Sequence, residues 1–312
     1  MVPVYNSQAT LEDLVAGLAR VLPGAAPGFE AILVDDGSRD GSGRVADALA
    51  SRFAWVRAIH FSRNFGQHNA TLCGVRAARY DVVVTMDDDL QHPPENIPLL
   101  LAKLGEGHDV VYGTPEKEAH GLLRDLASVI TKLALQSAMG VDTARGVSAL
   151  RAFRTDLRRA FADYRSPFVS IDVLLTWATT GFASIRVRHL QRPAGSSNYT
   201  FGALVRHAIN MMTGFSTVPL QLASFVGFSF TFLGLLVLGW VVGRYFVLGY
   251  SVPGFPFLAS IIAIFAGAQL FALGIIGEYL ARMHFRTMER PPYLVRADSA
   301  AEETPDQMGS RG

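Results

Sequence analysis

Three consecutive carboxylates, Asp87, Asp88 and Asp89, follow the β-favouring run Val82–Val84. Like charges crowded at the end of a buried strand destabilise it unless a cation or several hydrogen-bond donors neutralise them. Hard divalent cations take oxygen ligands and commonly bridge carboxylates to substrate phosphates. In an extended turn, Asp87 and Asp89 point to the same side, because side chains alternate. The spacing therefore favours an Mg²⁺ or Mn²⁺ site over its alternative, a solvated acidic turn.

The sequence predicts strands that alternate with helices over about residues 1–115, and these elements position the carboxylates. Strands are expected at 30–34, 55–61, 81–86 and 109–112, with helices at 11–21 and 43–52. Later strands are expected at 146–153 and 184–189, and an amphipathic helix at 122–139. Such alternation predicts right-handed β-α-β units and an α/β domain with a mostly parallel sheet. Ligands of such sheets bind beyond the carboxyl ends of the strands, where the acidic run lies.

The carboxyl-terminal third has a different character. Segments 219–248 and 255–280 each exceed the roughly 20 apolar residues that cross about 30 Å of hydrocarbon. Their connection is short and uncharged, whereas Arg282, Arg286 and Arg290 follow the second segment. The positive-inside rule then predicts a membrane hairpin whose two ends are both cytoplasmic. Residues 199–216 combine apolar side chains with Arg206 and His207, which favours an interfacial amphipathic helix over a helix of a soluble core.

These patterns predict four parts of the chain. They are a cytoplasmic catalytic domain at 1–198, an interfacial helix at 199–216, two transmembrane helices within 217–282, and a cytoplasmic tail at 283–312 that is disordered from Ala297 onward. The net charge of +1 argues against a nucleic-acid partner. A single cysteine, Cys73, excludes an intrachain disulfide framework. No signal-peptide pattern is seen, and homo-oligomer formation is left open.

The acidic run and its flanks, MDDDLQHPPE at 86–95, resemble the signature of family-2 glycosyltransferases that act on polyprenyl phosphates. Other runs match the family in the expected order: VPVYN at 2–6, ILVDDGSRDG at 32–41, SRNFGQHNA at 62–70, RPAGSSNY at 192–199 and GIIGEYL at 274–280. The resemblance extends to about Val295. It implies a GT-A-like nucleotide-binding domain at an inner membrane. It also implies inverting transfer of a sugar from a nucleotide diphosphate to polyprenyl (undecaprenyl) phosphate, with Mg²⁺ or Mn²⁺ as cofactor.

The resemblance also assigns roles to individual residues. It implies a nucleotide pocket of Pro3, Tyr5, Asp35 and Asp36, with which Asp87 and Asp88 are grouped. It implies a metal shell of Asp87, Asp89 and Gln91. It also implies phosphate or acceptor contacts from Arg63, Arg192, Ser196 and Ser197. The expected catalytic residues are Asp89, Asp172 and Arg192. The base is the open assignment, with Asp142 as the other candidate, because an acceptor that is already a phosphate anion needs little proton abstraction.

At three positions this chain departs from the family pattern. Ser7 stands where relatives often have Glu, which removes one possible ribose contact. Asp88 fills a slot that usually holds Ala or Gly, so it is an extra carboxylate; it is grouped with the nucleotide pocket, and its specific role there is left open. Asn198 replaces a lysine, which removes a cation from the phosphate-binding segment.

Two other functions are compatible with the same motifs. One is a transferase of this fold that acts on another glycan or lipid; the Gln-x-x-Arg-Trp motif of processive polysaccharide synthases is absent from this sequence. The other is a catalytically silent membrane scaffold that binds a nucleotide. Retention of Asp87, Asp89, Gln91 and Arg192 argues against the scaffold. Neither the donor sugar nor its nucleotide can be inferred from the sequence.

Overall fold

The computed structural model describes residues 1–115, 146–166, 169–190, 217–248, 254–288 and 291–300. Three predicted features lie outside these residues: the helix at 122–139, the interfacial helix at 199–216 and most of the hairpin connection. The described elements, in chain order, are β1 (Val2–Val4), α1 (Leu11–Ala25), β2 (Ala31–Asp35), α2 (Ser42–Arg52), β3 (Val56–Phe61), α3 (Gln67–Ala77), β4 (Val82–Thr85), α4 (Ile97–Gly105), β5 (Val110–Pro115), β6 (Arg151–Arg154), α5 (Ile171–Ala178), β7 (Phe182–Val187), α6 (Val218–Leu248), α7 (Phe255–Thr287) and β8 (Val295–Asp298). Short 3₁₀ turns occupy Pro94–Asn96 and Thr155–Phe161.

The strands form two four-stranded sheets in the orders β1-β2-β3-β8 and β4-β6-β5-β7. Met1 joins them, because its ammonium donates to the Val84 carbonyl at 2.8 Å and its carbonyl accepts from the Met86 N–H at 3.2 Å. Burial lowers the pKa of this ammonium to about 6. Among the described strands, only β6 and β8 run against the common strand direction. The prediction of a mostly parallel sheet is therefore confirmed.

Helices cover both faces of this paired sheet. Helices α1, α2 and α4 pack on one face with Leu33, and α3 packs on the other with Ile32 and Val34. All five residues of β2 are buried, as expected for a strand with helices on both sides. Each fully buried aliphatic side chain contributes about 1.5–3 kcal/mol. The resulting three-layer core supports the strand ends that carry the acidic run.

Helices α6 and α7 lack the polar face of a surface helix. Spans of 27 and 22 residues within them are long and apolar enough to cross a membrane, and neither is buried in the protein. Phe228 and Phe246 are 76% and 80% exposed. The helices contact each other where Gly234 leaves space for the ring of Phe265. Because the apolar surface has no protein cover, the pair fits a hydrocarbon solvent better than a soluble core. Helix α7 continues to Thr287, seven residues beyond the predicted span.

The segment after α7 returns to the catalytic domain. Strand β8 pairs antiparallel with β3, and the Arg57 guanidinium contacts both oxygens of Asp298, at 2.9 and 2.6 Å. The ring of Tyr293 stacks on Phe61 with centroids 5.1 Å apart. The prediction of disorder from Ala297 onward is therefore wrong for residues 297–300, because the open edge of β3 supplies hydrogen-bonding partners for this stretch. The flank that follows α7 thus lies against the α/β domain.

Candidate active site

A cavity of about 260 Å³ lies at the carboxyl ends of β1 and β4. The residues that line it come from the end of β1 and from the segments that follow β1, β2, β3 and β4: Pro3, Val4, Tyr5, Asp36, Asn64, Gly66, Gln67, Asp87, Asp88 and Asp89. Four carboxylates therefore face one small space. This is the edge of the sheet at which α/β domains bind their ligands.

A larger cavity, of about 600 Å³, lies at the opposite ends of the strands. Its walls are mainly apolar and include Met1, Phe29, Tyr80 and the first residues of β2 and β4. The acidic side chains that converge on the smaller cavity are absent from this lining. We therefore place the chemistry in the smaller, acidic pocket.

The turn that carries the acidic run is held in an unusual backbone shape. Leu90 has φ 60°, a left-handed conformation that costs a non-glycine residue about 1–3 kcal/mol. The Asp89 carboxylate accepts the Gln91 N–H at 3.1 Å, and the Gln91 carbonyl accepts the Leu190 N–H at 2.8 Å. The Leu90 side chain packs against the core. These contacts hold Asp87 and Asp89 in place at the pocket.

Gln67 is a site residue that sequence reasoning missed. It is the first residue of α3, and its amide nitrogen donates to the Asp87 carboxylate at 2.7 Å. Gly66, with φ 100°, sets the entry of this helix. The sequence signal for Gln67 is the run at 62–70, which matches the family, but the prediction within that run names Arg63 alone. A long cationic side chain is a more obvious phosphate ligand than an amide.

Asp36 holds the loop that precedes α3. Its two carboxylate oxygens accept the N–H groups of Phe65 at 2.6 Å and of Gly66 at 2.8 Å. Burial raises the pKa of Asp36, although these two hydrogen bonds act in the opposite sense. Gly37 has φ 67°, and a Cβ there would lie 2.5 Å from the Arg63 carbonyl carbon. Only glycine fits this turn, so the loop can approach Asp36 closely.

Asp35 points away from the pocket, into a carboxylate–imidazole–carboxylate cluster. The two ring nitrogens of His60 lie 3.2 Å from Asp35 Oδ2 and 2.8 Å from Asp47 Oδ1. The hydrogen bond with Asp35 is the main cause that raises the pKa of His60. Burial of Asp35 would raise its own pKa, but bonds from His60 and Ser38 lower it overall. Asp35 thus braces the strand ends and does not line the cavity.

This cluster gives stability a pH dependence. The pKa of His60 is higher in the folded protein than in the unfolded chain, where it is about 6.5. The contribution of His60 to the free energy of unfolding is therefore fully present below the unfolded-state pKa and is lost as pH rises through the folded-state pKa. We expect His60→Gln to lower the melting temperature more at about pH 6 than at about pH 8.5, with His108→Gln as the control. A difference that is constant across this pH range would mean that the pKa of His60 is the same in the folded and the unfolded protein.

Asp88 faces the segment that follows β1. Its Oδ2 accepts the Tyr5 N–H at 3.3 Å, and its carboxylate also contacts the Ser7 hydroxyl. Burial is the main cause that raises the pKa of Asp88, and the neighbouring Asp89 raises it further. Asp88 is therefore held by hydrogen-bond donors from a segment some eighty positions earlier in the chain.

Asp172, an expected catalytic residue, lies in a buried ion pair. The Arg151 guanidinium contacts its Oδ1, which also accepts the Tyr112 hydroxyl at 3.1 Å. Asp172 is 5% exposed and is not among the residues that line the acidic cavity. This geometry supports a structural carboxylate and gives the base role no support. The other candidate, Asp142, lies outside the described residues.

The structure brings together six of the predicted site residues: Pro3, Tyr5, Asp36, Asp87, Asp88 and Asp89. Three others are not among the residues that line the cavity, although each lies within two positions of a lining residue in the chain: Asp35, Gln91 and Arg63. Arg63 is exposed, with its guanidinium 4.1 Å from the centre of the Phe65 ring. Arg192, Ser196, Ser197 and Asn198 lie outside the described residues. Val4, Asn64, Gly66 and Gln67 complete the cavity and were not selected from the sequence.

The donor set of the pocket suits a hard cation. Among the described residues, no three His, Cys, Asp or Glu side chains form a ready-made metal site. Asp87 and Asp89 nevertheless line one cavity, and both supply carboxylate oxygens. Mg²⁺ is commonly bound by one or two carboxylates together with substrate phosphates and water. The residues present therefore fit a cation that a diphosphate helps to bind.

Known proteins match both this sequence and this fold. The model of glycosyl transferase family 2 matches residues 1–134. The undecaprenyl-phosphate 4-deoxy-4-formamido-L-arabinose transferase of Shewanella sediminis (strain HAW-EB3) is 33% identical over 307 residues, 97% of this chain and 93% of the relative. The protein of the same name from Pseudomonas fluorescens (strain SBW25) is 34% identical over 298 residues, 95% of this chain and 87% of the relative.

A solved structure shares the fold. Glucosyl-3-phosphoglycerate synthase from Mycobacterium tuberculosis, in complex with Mn²⁺, UDP-glucose and phosphoglyceric acid, superposes with a TM-score of 0.51 at 21% identity. The match covers 68% of this chain and 77% of that structure. The GT-A-like fold is thereby confirmed. The curated relatives show that the chain belongs to the family-2 glycosyltransferases of the polyprenyl-phosphate type.

Proposed function

We propose that this protein transfers a sugar from a nucleotide diphosphate to a polyprenyl phosphate at the cytoplasmic face of the membrane. The observation that carries the proposal is the acidic pocket on a domain whose chain continues into two apolar helices and returns to the same sheet. The curated relatives are named for transfer to undecaprenyl phosphate, which supports a lipid phosphate as acceptor.

The pocket suits each part of this reaction. An oxygen of the lipid phosphate attacks the anomeric carbon, the bond to the donor diphosphate breaks, and the configuration inverts. Asp87 and Asp89 would hold Mg²⁺ or Mn²⁺, with Gln91 beside them, and the cation would neutralise the leaving diphosphate. Asp36 holds the loop at 63–66 against the pocket. Because the acceptor is an anion, the step needs no strong base, in keeping with the buried pairing of Asp172.

A direct assay tests this function. The purified protein, in bilayer discs with Mn²⁺ and undecaprenyl phosphate, is given a panel of UDP-, GDP- and TDP-sugars, and the lipid product is detected by mass. We expect nucleoside diphosphate release that depends on the lipid phosphate. A membrane scaffold would bind nucleotide without releasing a product. A transferase for another acceptor would release nucleoside diphosphate with other glycans or lipids but not with undecaprenyl phosphate.

The membrane orientation has its own test. Strand β8 pairs with β3, and together with the short connection between the two helices this supports a hairpin whose two flanks lie on one side of the bilayer. We expect a cysteine label within 250–254 to react from outside the cell, and labels at Ser51 or after Ala300 to react only from the cytoplasm. Reaction of the connection from the cytoplasmic side would exclude the hairpin.

Arg192 is proposed to bind the acceptor phosphate. Guanidinium groups match phosphate geometry, and a charge-assisted hydrogen bond contributes about 1.5–3 kcal/mol. We expect Arg192→Ala to weaken lipid-dependent transfer by about ten- to a hundredfold and to leave nucleotide binding nearly unchanged. Arg159→Ala, at an exposed arginine, is the control. Asn198→Lys should be tolerated and should lower the acceptor concentration needed.

The opposite pattern would overturn this assignment. If Arg192→Ala abolished nucleotide binding and left the dependence on acceptor unchanged, Arg192 would belong to the donor diphosphate site. Transfer would then need another cation for the lipid phosphate.

A further inference from the structure

Two segments of the acidic pocket come from distant parts of the chain and lie side by side. The first is the nucleotide-binding loop, defined as Tyr5–Ser7 after β1, and the second is the metal turn, defined as Asp87–Gln91 after β4. The main-chain hydrogen bonds of Met1 with Val84 and Met86 hold β1 beside β4. The strand ends therefore deliver both segments to the same edge of the sheet.

The nucleotide-binding loop is tied firmly on the side away from the metal turn. The Asn6 N–H donates to Ser38 Oγ at 3.0 Å, and the Ser7 N–H donates to Ser42 Oγ at 2.8 Å. The Asn6 side chain accepts the Arg39 N–H at 2.9 Å, and Asn6 itself has φ 55°. These bonds fix the loop to the start of α2. Its position relative to the metal turn depends on other contacts.

Asp88 supplies contacts between the nucleotide-binding loop and the metal turn. Its carboxylate accepts the Tyr5 N–H at 3.3 Å and contacts the Ser7 hydroxyl, and Asp88 lines the cavity together with its chain neighbours Asp87 and Asp89. Ser7 Oγ lies 3.2 Å from the Tyr5 carbonyl, so the hydroxyl stays close to the loop backbone. One carboxylate thus links the two segments through a hydroxyl and an N–H.

A second carboxylate would not fit the same contact. If position 7 carried an acid, its oxygens would meet those of Asp88, in a pocket that already holds Asp36, Asp87 and Asp89. Like charges at such short distance repel strongly when water is partly excluded.

We propose that Ser7 and Asp88 form a positioning pair that sets the distance between the nucleotide-binding loop and the metal turn. The pair accepts one carboxylate, at either position. Asp88 acts through the loop backbone and needs no contact with the reacting atoms. The inference rests on the proposed function in one respect, namely that the ligand between the two segments is a nucleoside diphosphate with its cation.

A double-mutant cycle tests the pair. The full-length wild-type protein is compared with Asp88→Ala, Ser7→Glu and the Ser7→Glu/Asp88→Ala variant. The measurement is the Kd of UDP, of GDP and of TDP, each with Mn²⁺ and without lipid. We expect Asp88→Ala to weaken binding about tenfold and Ser7→Glu about a hundredfold, while the double variant binds within a few-fold of wild type. Ser51→Glu and Asp81→Ala, at exposed positions, control for adding and removing a carboxylate.

The melting temperatures of the same four proteins provide a measurement that needs no ligand. Ser7→Glu should lower the melting temperature, and adding Asp88→Ala should reverse most of this decrease. If the effects of the single variants simply multiply in Kd and add in melting temperature, the pair does not exist. Coupling in melting temperature without coupling in Kd would reduce the pair to a structural contact and overturn the positioning role. If wild type binds none of UDP, GDP and TDP with Mn²⁺, the donor site of the proposed function fails, and the melting cycle still decides whether the contact exists.

Discussion

Asp89→Asn is expected to abolish sugar transfer while the protein still folds and inserts into the membrane. The substitution keeps the shape of the side chain and removes the negative charge that would bind the cation. Loss of one preorganised electrostatic group at a reacting centre typically costs about 10²–10³ in rate. Asp87→Asn should be nearly as severe, because Asp87 lines the same cavity. The side chain at 87 could still meet Gln67 Nε2 through its amide oxygen, so the local fold should persist.

The rate of lipid-product formation at saturating donor and acceptor is the measurement. Asp81→Asn provides a matched control, because Asp81 is exposed and precedes β4 at the end opposite to Asp89. Its activity should equal that of wild type. Near wild-type turnover of Asp89→Asn, or full activity of wild type in excess chelator, would exclude a metal-binding role for this carboxylate.

The second large effect is expected on stability. Asp172→Asn leaves the buried Arg151 guanidinium without its anionic partner. Breaking a buried pair in this way costs about 3–5 kcal/mol. For a domain of this size, such a loss corresponds to a fall of roughly 6–20 °C in melting temperature. We expect this fall in detergent-solubilised protein, with Asp156→Asn, in an exposed ion pair, as the control.

A triple variant separates the structural role from catalysis. Tyr112→Phe, Arg151→Met and Asp172→Leu together remove every polar partner of the cluster, and apolar replacement of a buried ion pair is often neutral or stabilising. The triple variant should therefore regain most of the lost melting temperature and keep substantial transfer activity. A triple variant that is as stable as wild type but inactive would restore Asp172 as the catalytic base.

Much of the molecule could be predicted from local patterns. The apolar residues Ala31–Val34 of β2 were visible within the predicted strand at 30–34, and the two long helices were visible from length and composition. The acidic run after Val82–Val84 located the pocket, because parallel strands deliver their carboxyl ends to one edge of a sheet. These features depend on neighbours in sequence, so sequence alone determined them.

Contacts between distant residues were decided by the tertiary structure alone. Asp35 and Asp36 are adjacent and equally acidic, yet one braces His60 and the other holds the loop at 65–66, since successive side chains point in opposite directions. Asp172 could be read from sequence as a base or as a helix carboxylate. Its pairing with Arg151 depends on how α5 packs against β6.

The contact between residues that are farthest apart in the sequence lies at the end of the described chain. Asp298 pairs with Arg57 across 241 positions, after two membrane helices, and no local pattern signals that contact. Ser7 and Asp88 likewise meet only because Met1 places β1 beside β4. The periodicity and the charges of the sequence indicate which residues can be buried and which can bind a cation. Strand order and register decide which of them become neighbours, and that information exists only in the folded chain.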